Sequence, residues 1–185
     1  MMTEISLNIL DVAENSTRAK ASLVTIIVDA NTAEDRLAVT ISDDGCGMTQ
    51  EQIEHVTDPF FTTRKTRKVG LGVPFFKQAA ELTGGSFNIT SEVGVGTTTK
   101  AEFVLSSVDR VPLGDMDSTI HTLITCHQDT DFLYIYRYNG REFQLDTREI
   151  RMILGDVPFD SPDVSAFIMQ YLQANRIETD GGAAY

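Results

Sequence analysis

Two acidic and amide side chains one helical turn apart stand near the start of the chain. In "LNILDVAENSTRA", Asn8, Asp11, Asn15 and Arg18 recur at spacings of three and four, a polar stripe between apolar positions. Residues at i and i+4 share a helix face, so Asp11 and Asn15 point the same way. An asparagine amide oxygen is a hard, neutral ligand suited to Mg2+. A carboxylate beside it can orient or deprotonate a water. Taken alone, the stripe fits a solvent-facing helix equally well.

Three further segments carry chemistry. In "SDDGCGM", strand alternation sets Asp43 on the face of Leu37, Val39 and Ile41. A carboxylate there is costly unless it meets a donor. Gly45 and Gly47 follow, which lets backbone or ligand approach closely. In "RKTRKVGLGVP", Arg64, Lys65, Arg67 and Lys68 precede Gly70, Gly72 and the helix-starting Pro74. Free amides and the positive end of a helix suit phosphate oxygens. The fourth segment, "SEVGVGTT", reads as a hairpin turn ending in Thr97.

The order and spacing of these segments resemble the GHKL ATPase superfamily, which holds gyrase, MutL, sensor histidine kinases and anti-sigma kinases. The resemblance covers roughly residues 4–105. "DVAENSTRA" resembles the asparagine box, which implies Asn15 as magnesium ligand and Asp11 in the place of the catalytic glutamate. "DDGCGM" resembles the first glycine box, which implies Asp43 as acceptor of the adenine amino group, with Gly45, Gly47 and Met48 beside the nucleotide. "DPFFTTR" resembles the segment that opens the ATP lid, which implies nucleotide contacts for Phe60, Thr63, Arg64, Lys65 and Lys68. "VGLGVP" resembles the second glycine box, with Gly70, Leu71, Gly72 and Val73, and Thr97 belongs to the closing glycine-threonine segment. The cofactors implied are ATP and Mg2+.

The sequence departs from the pattern in places. Lys68 stands where sensor kinases usually carry another glycine. Asp11 is one methylene shorter than the glutamate of gyrase and MutL, and histidine kinases usually have asparagine there. Asp11 is therefore either a water-activating base or a group that orders the metal's surroundings. His55, His121 and His127 lie in no phosphoacceptor context and read as surface histidines.

The elements that must position these residues follow from periodicity. A helix is predicted over 4–20, strands over 21–30 and 36–43, and a short helix capped by Thr49 and Gln52. A helix from Pro74 to Gly84-Gly85 and a hairpin around 93–96 complete this part. The fold class is α/β, an α+β two-layer sandwich of the Bergerat type, with a mixed sheet covered by helices on one face. Residues 1–108 form the ATPase domain and 109–185 a small α+β extension. In the extension we expect a helix near 116–127, a hairpin turning at Asn139-Gly140 and two helices. The last should bury Val164, Phe167, Ile168, Tyr171 and Leu172, and the tail "ETDGGAAY" should fray.

Composition narrows the function. The 185 residues are 42% hydrophobic with a net charge of -12, which disfavours binding to nucleic acid or an anionic membrane. No apolar run reaches the ~20 residues of a membrane span. Cys46 and Cys126 form no metal or disulfide pattern, and a cytoplasmic protein is expected. The reading is a stand-alone ATP-binding protein that hydrolyses ATP or transfers phosphate to a separate protein partner. The alternative is a nucleotide-switched binding module. The aromatic hairpin Phe132, Tyr134, Tyr136 and Tyr138 serves either as a partner or homodimer surface or as core.

Overall fold

The computed structural model describes residues 2–56, 72–183 and 185. Helix α1 (Ile5–Arg18) leads into an antiparallel pair, β1 (Leu23–Asn31) and β2 (Arg36–Asp43). After α2 (Gln50–His55) and α3 (Gly72–Leu82), strands β3 (Ser86–Glu92) and β4 (Gly96–Val104) form a hairpin. Then come α4 (Met116–Cys126), β5 (Asp131–Tyr138), β6 (Arg141–Asp146), α5 (Thr147–Leu154) and α6 (Pro162–Asp180).

One six-stranded mixed sheet runs through the whole molecule in the order β3-β4-β2-β1-β5-β6. Strand β5 lies parallel to β1, with Val24 beside Phe132 and Val28 beside Tyr136. All other neighbours are antiparallel. The sheet thus continues without a break from the residues before 108 into those after it. Alternation decides its core face: Val24, Ile26, Val28 and Ala30 on β1 are buried, as are Phe132, Tyr134 and Tyr136 on β5. Helices α1, α3, α4 and α6 supply the apolar residues that meet this face. Phe132, Tyr134 and Tyr136 are therefore core, Tyr138 packs against it partly buried, and Tyr134 and Phe143 pack edge to face at 5.7 Å.

The junction after β4 closes onto α1. The amides of Ile5 and Ser6, which have no partner within the helix, donate to the carbonyls of Pro112 and Leu113 at 3.0 and 2.8 Å. Gly114 adopts φ +83, and a Cβ there would stand 2.2 Å from Glu4 Oε2. The capping box of α2 forms in both directions between Thr49 and Gln52. The turn at Asn139 and Gly140 has positive φ at both positions, +49 and +81, as a two-residue hairpin demands.

Two expectations for the extension are corrected. Helix α6 buries Val164, Ile168 and Leu172, but Phe167 and Tyr171 are exposed and pack on each other at 6.0 Å. The apolar stripe facing the sheet is narrower than a count of apolar residues suggests. The C-terminal residue is not frayed. The Leu113 amide donates to the Tyr185 carbonyl at 2.8 Å, and the Tyr185 ring stacks on Tyr138 at 5.6 Å. Its hydroxyl bonds to that of Tyr136, which also donates to Asp180 Oδ2 at 2.8 Å. Gly181, left-handed at φ +69, ends α6 and turns the chain back.

Candidate functional site

A cavity of about 340 Å³ opens between α1, the end of β2, α2 and the start of α3. Its size lies within the range of small-molecule sites. Asp43, at the last position of β2, stands on its wall. Asp43 Oδ2 accepts the Ser16 hydroxyl at 2.6 Å, and Oδ1 accepts the Gly45 amide at 2.9 Å. Two donors thus meet the desolvation cost of a carboxylate at this depth. They also fix the plane of the carboxylate and leave its remaining lone pairs for a ligand.

Glycines make the loop after β2 fit. A Cβ on Gly45 would lie 2.8 Å from Ala19 Cβ and 2.9 Å from Asp43 Oδ1. Gly47 has φ +66, and a Cβ there would lie 1.9 Å from the Glu92 carbonyl oxygen. The loop is pinned on both sides, by Cys46 N to Ala19 O at 3.0 Å and Gly94 N to Cys46 O at 2.8 Å. Asp44 closes its rear by accepting the amides of Ser22 and Leu23 and the Ser22 hydroxyl. Burial acts to raise its pKa, but these bonds outweigh it and hold the carboxyl below the usual range.

Thr97 pairs with Asp43 across the sheet. The Ser91 hydroxyl accepts the Met48 amide at 2.8 Å and donates to the Gly96 carbonyl at 2.9 Å. Its single proton is then spent, so Thr97, 2.8 Å away, donates to Ser91. Thr97 accordingly offers the cavity an acceptor.

Of the residues expected at the site, Asn15, Asp43, Gly47, Met48, Gly72, Val73 and Thr97 line this one cavity. Gly45 packs directly behind Asp43. Asp11 stands at the contact between α1 and α3, where a Cβ on Gly72 would be 3.0 Å from Asp11 Cβ and 3.3 Å from Oδ2. It is half-buried and outside the cavity lining. Phe60, Thr63, Arg64, Lys65, Lys68, Gly70 and Leu71 lie outside the described residues. Asn8 belongs to the core rather than to a polar stripe: it is buried, and its Nδ2 donates to the Glu4 carbonyl at 3.2 Å.

Sequence reasoning missed several members. Ser16 is the chief of these; only its place one residue after Asn15 hinted at it. Arg18, Gln52, Val56 and Ile89 also line the cavity. Arg18 donates to Asn15 Oδ1 at 3.1 Å and to Glu14 Oε2 at 3.3 Å. Two of the expected surface histidines, His121 and His127, are half-buried and tied to other elements: the Nε2 of His121 meets the Ser165 hydroxyl at 2.8 Å, and that of His127 meets Glu14 at 2.7 Å.

Known proteins agree with this architecture. A sensor-protein sequence of Shewanella frigidimarina is 29% identical over 107 residues, covering 57% of this chain and 16% of the relative. Sensor protein SrrB of Staphylococcus aureus is 34% identical over 102 residues, covering 52% of this chain and 17% of SrrB. The chain thus spans about a sixth of the length of these relatives. A crystal structure of the N-terminal domain of a DNA repair protein superposes with a TM-score of 0.57 at 13% identity, over 78% of this chain and 53% of that one. At that identity the likeness speaks for the fold alone. The family model described as histidine kinase-, DNA gyrase B- and HSP90-like ATPase matches residues 1–107. The chain belongs to that family of ATP-binding domains.

Proposed function

We propose that the cavity holds ATP with magnesium, and that the protein hydrolyses ATP or passes its terminal phosphate to a separate protein in signal transduction. One observation carries the reading. Asp43 is presented at the cavity as a fixed acceptor by Ser16 at 2.6 Å and Gly45 at 2.9 Å. A carboxylate that is acceptor-only pairs with the exocyclic amino group of adenine and repels the carbonyl of guanine. Membership of an ATPase family and kinship with sensor proteins support it.

The donor set suits magnesium. Among the described residues there is no group of three His, Cys, Asp or Glu side chains able to hold a metal. Of the two amide side chains on the cavity wall, Gln52 spends its oxygen on the Thr49 amide, which leaves Asn15 as the candidate ligand. One neutral oxygen matches an ion that keeps its waters and takes phosphate oxygens as its other ligands. When bound, the ion would neutralise charge on the phosphates. The chain's own part is to bind and orient. Asp43 fixes the base, Thr97 offers an acceptor, and the first turn of α3, with Gly72 and Val73, forms part of the cavity wall. Asp11, one helical turn from Asn15, is the candidate base for an attacking water or acceptor hydroxyl.

No helix among the described residues is long and apolar enough to cross a membrane. The free, exposed Cys46 and Cys126 fit the cytoplasm, where thiols stay reduced. Calorimetry with ATP and GTP, followed by phosphate release with and without candidate partner proteins, tests the reading. Equal affinity for ATP and GTP would remove the role of Asp43. Tight ATP binding without release or transfer would make the protein a nucleotide-switched binding module instead.

A further inference from the structure

Residues beyond the family match reach the cavity through a line of polar contacts. His127 caps the C-terminus of α4, and its Nε2 lies 2.7 Å from Glu14 Oε1 on α1. A carboxylate only accepts, so Nε2 carries the proton. The other Glu14 oxygen accepts Arg18 Nη2 at 3.3 Å, and Arg18 Nη1 donates to Asn15 Oδ1 at 3.1 Å. Arg18 and Asn15 both line the cavity. The guanidinium is thereby forked between Glu14 and the candidate metal ligand.

Burial along this line falls toward the cavity. The side chains of His127 and Glu14 are 25% and 26% exposed, and that of Arg18 is 52% exposed. An exposed arginine paired only with a glutamate one turn back on the same helix is held weakly, because both chains are long and free to move. Here the glutamate is gripped from its far side by a residue of another element. That grip removes rotamers from Glu14 and so narrows the positions open to the guanidinium.

We propose that His127 and Glu14 are positioning residues for an anionic di- or triphosphate group: His127 fixes Glu14, and Glu14 holds Arg18 at the cavity wall where such a group would lie. The inference rests on the nucleotide reading above and extends it. The segment after residue 107 then shapes the site rather than merely continuing the sheet.

The test compares two probes, ATP and adenosine, on the full chain by calorimetry and NMR titration. Adenosine lacks phosphates and engages only the Asp43 end. His127→Ala and Glu14→Gln should each weaken ATP about three- to tenfold while leaving adenosine unchanged. The double variant should be no weaker than the weaker single one, because both act through Arg18. His127→Gln, whose amide can still donate to Glu14, should recover most of the loss. Parallel loss of adenosine affinity would mean a structural role only and would overturn the proposal. Unchanged or tighter ATP binding, additive losses, or His127→Gln behaving as His127→Ala would overturn it too. Failure of the wild-type chain to bind ATP would overturn both this inference and the nucleotide reading. Normal ATP binding that ignores His127 would overturn this inference alone.

Discussion

Ser16 and Asp43, 27 positions apart in the chain, are joined by a 2.6 Å hydrogen bond from hydroxyl to carboxylate. Ser16 is almost fully buried, so this bond has little competition from water. It couples the last turn of α1 to the end of β2 and sets the direction in which Asp43 faces the cavity.

Asp43→Asn should weaken ATP about tenfold or more, because a bond to a charged acceptor contributes roughly 1.5–3 kcal/mol. Ser16→Ala should weaken ATP less, since Asp43 keeps the Gly45 amide at 2.9 Å. Calorimetry on both variants checks the order. A larger loss for Ser16→Ala than for Asp43→Asn would contradict it.

Asn15→Ala should reduce the magnesium dependence of ATP binding more than binding itself. On the proposed reading the amide oxygen would serve the metal, and the metal would serve the phosphates rather than the base. Titrations with ATP in magnesium and in a chelator, on wild type and variant, measure this. Wild-type binding that ignores magnesium would remove the role.

Gly96 has φ +137, and a Cβ there would stand 1.9 Å from the Asp43 carbonyl oxygen. Gly94 has φ +80 with nothing within 4 Å. Both substitutions to alanine should meet backbone strain of roughly 1–3 kcal/mol. Only Gly96→Ala adds a clash with β2 beside the site. Urea unfolding should therefore show the larger loss for Gly96→Ala, accompanied by weaker ATP binding. Equal stability losses would refute the steric part.

Burial raises the Tyr185 phenol to about 12, with the Tyr136 hydroxyl bond acting downward and the Asp180 carboxylate upward. The ordinary tyrosine value is about 10. A folded value above the unfolded one favours the neutral form, so this contribution is complete below about pH 10 and fades as pH rises toward 12. Tyr134 and Tyr136 are raised further still by burial, so tyrosinate absorbance should show a step near pH 12 that disappears in Tyr185→Phe. The variant's stability should also lose less than that of wild type over that alkaline range.

Local periodicity made much of the fold legible. The apolar spacing of Ile5, Ile9 and Val12, the alternation of β2, the Thr49–Gln52 capping box and the Asn139-Gly140 turn each depend on residues close in sequence. That Asn15, Asp43, Gly47 and Gly72 would share one cavity was legible too, because closely approaching backbone admits few residue types and the order of the motifs resembled a known family. The seven expected site residues between Phe60 and Leu71 fall outside the described residues.

What the tertiary structure decided lies between residues far apart in the chain. The parallel pairing of β1 with β5 joins Val24 to Phe132, and no local pattern specifies a partner strand across such a gap. Phe167 and Tyr171 have the chemistry of core residues, yet α6 buries the face of Val164, Ile168 and Leu172 and leaves them outside. Tyr185 has the sequence context of a loose end, yet a pocket beside Tyr136 and Tyr138 receives it. His127 carries no signal beyond its own chemistry, and Ser16 little beyond its place after Asn15, since a serine or histidine is compatible with surface, core or site. Only packing brought Ser16 to Asp43 and His127 to Glu14, because hydrogen bonds at 2.6 and 2.7 Å require the sheet and helices to be assembled first.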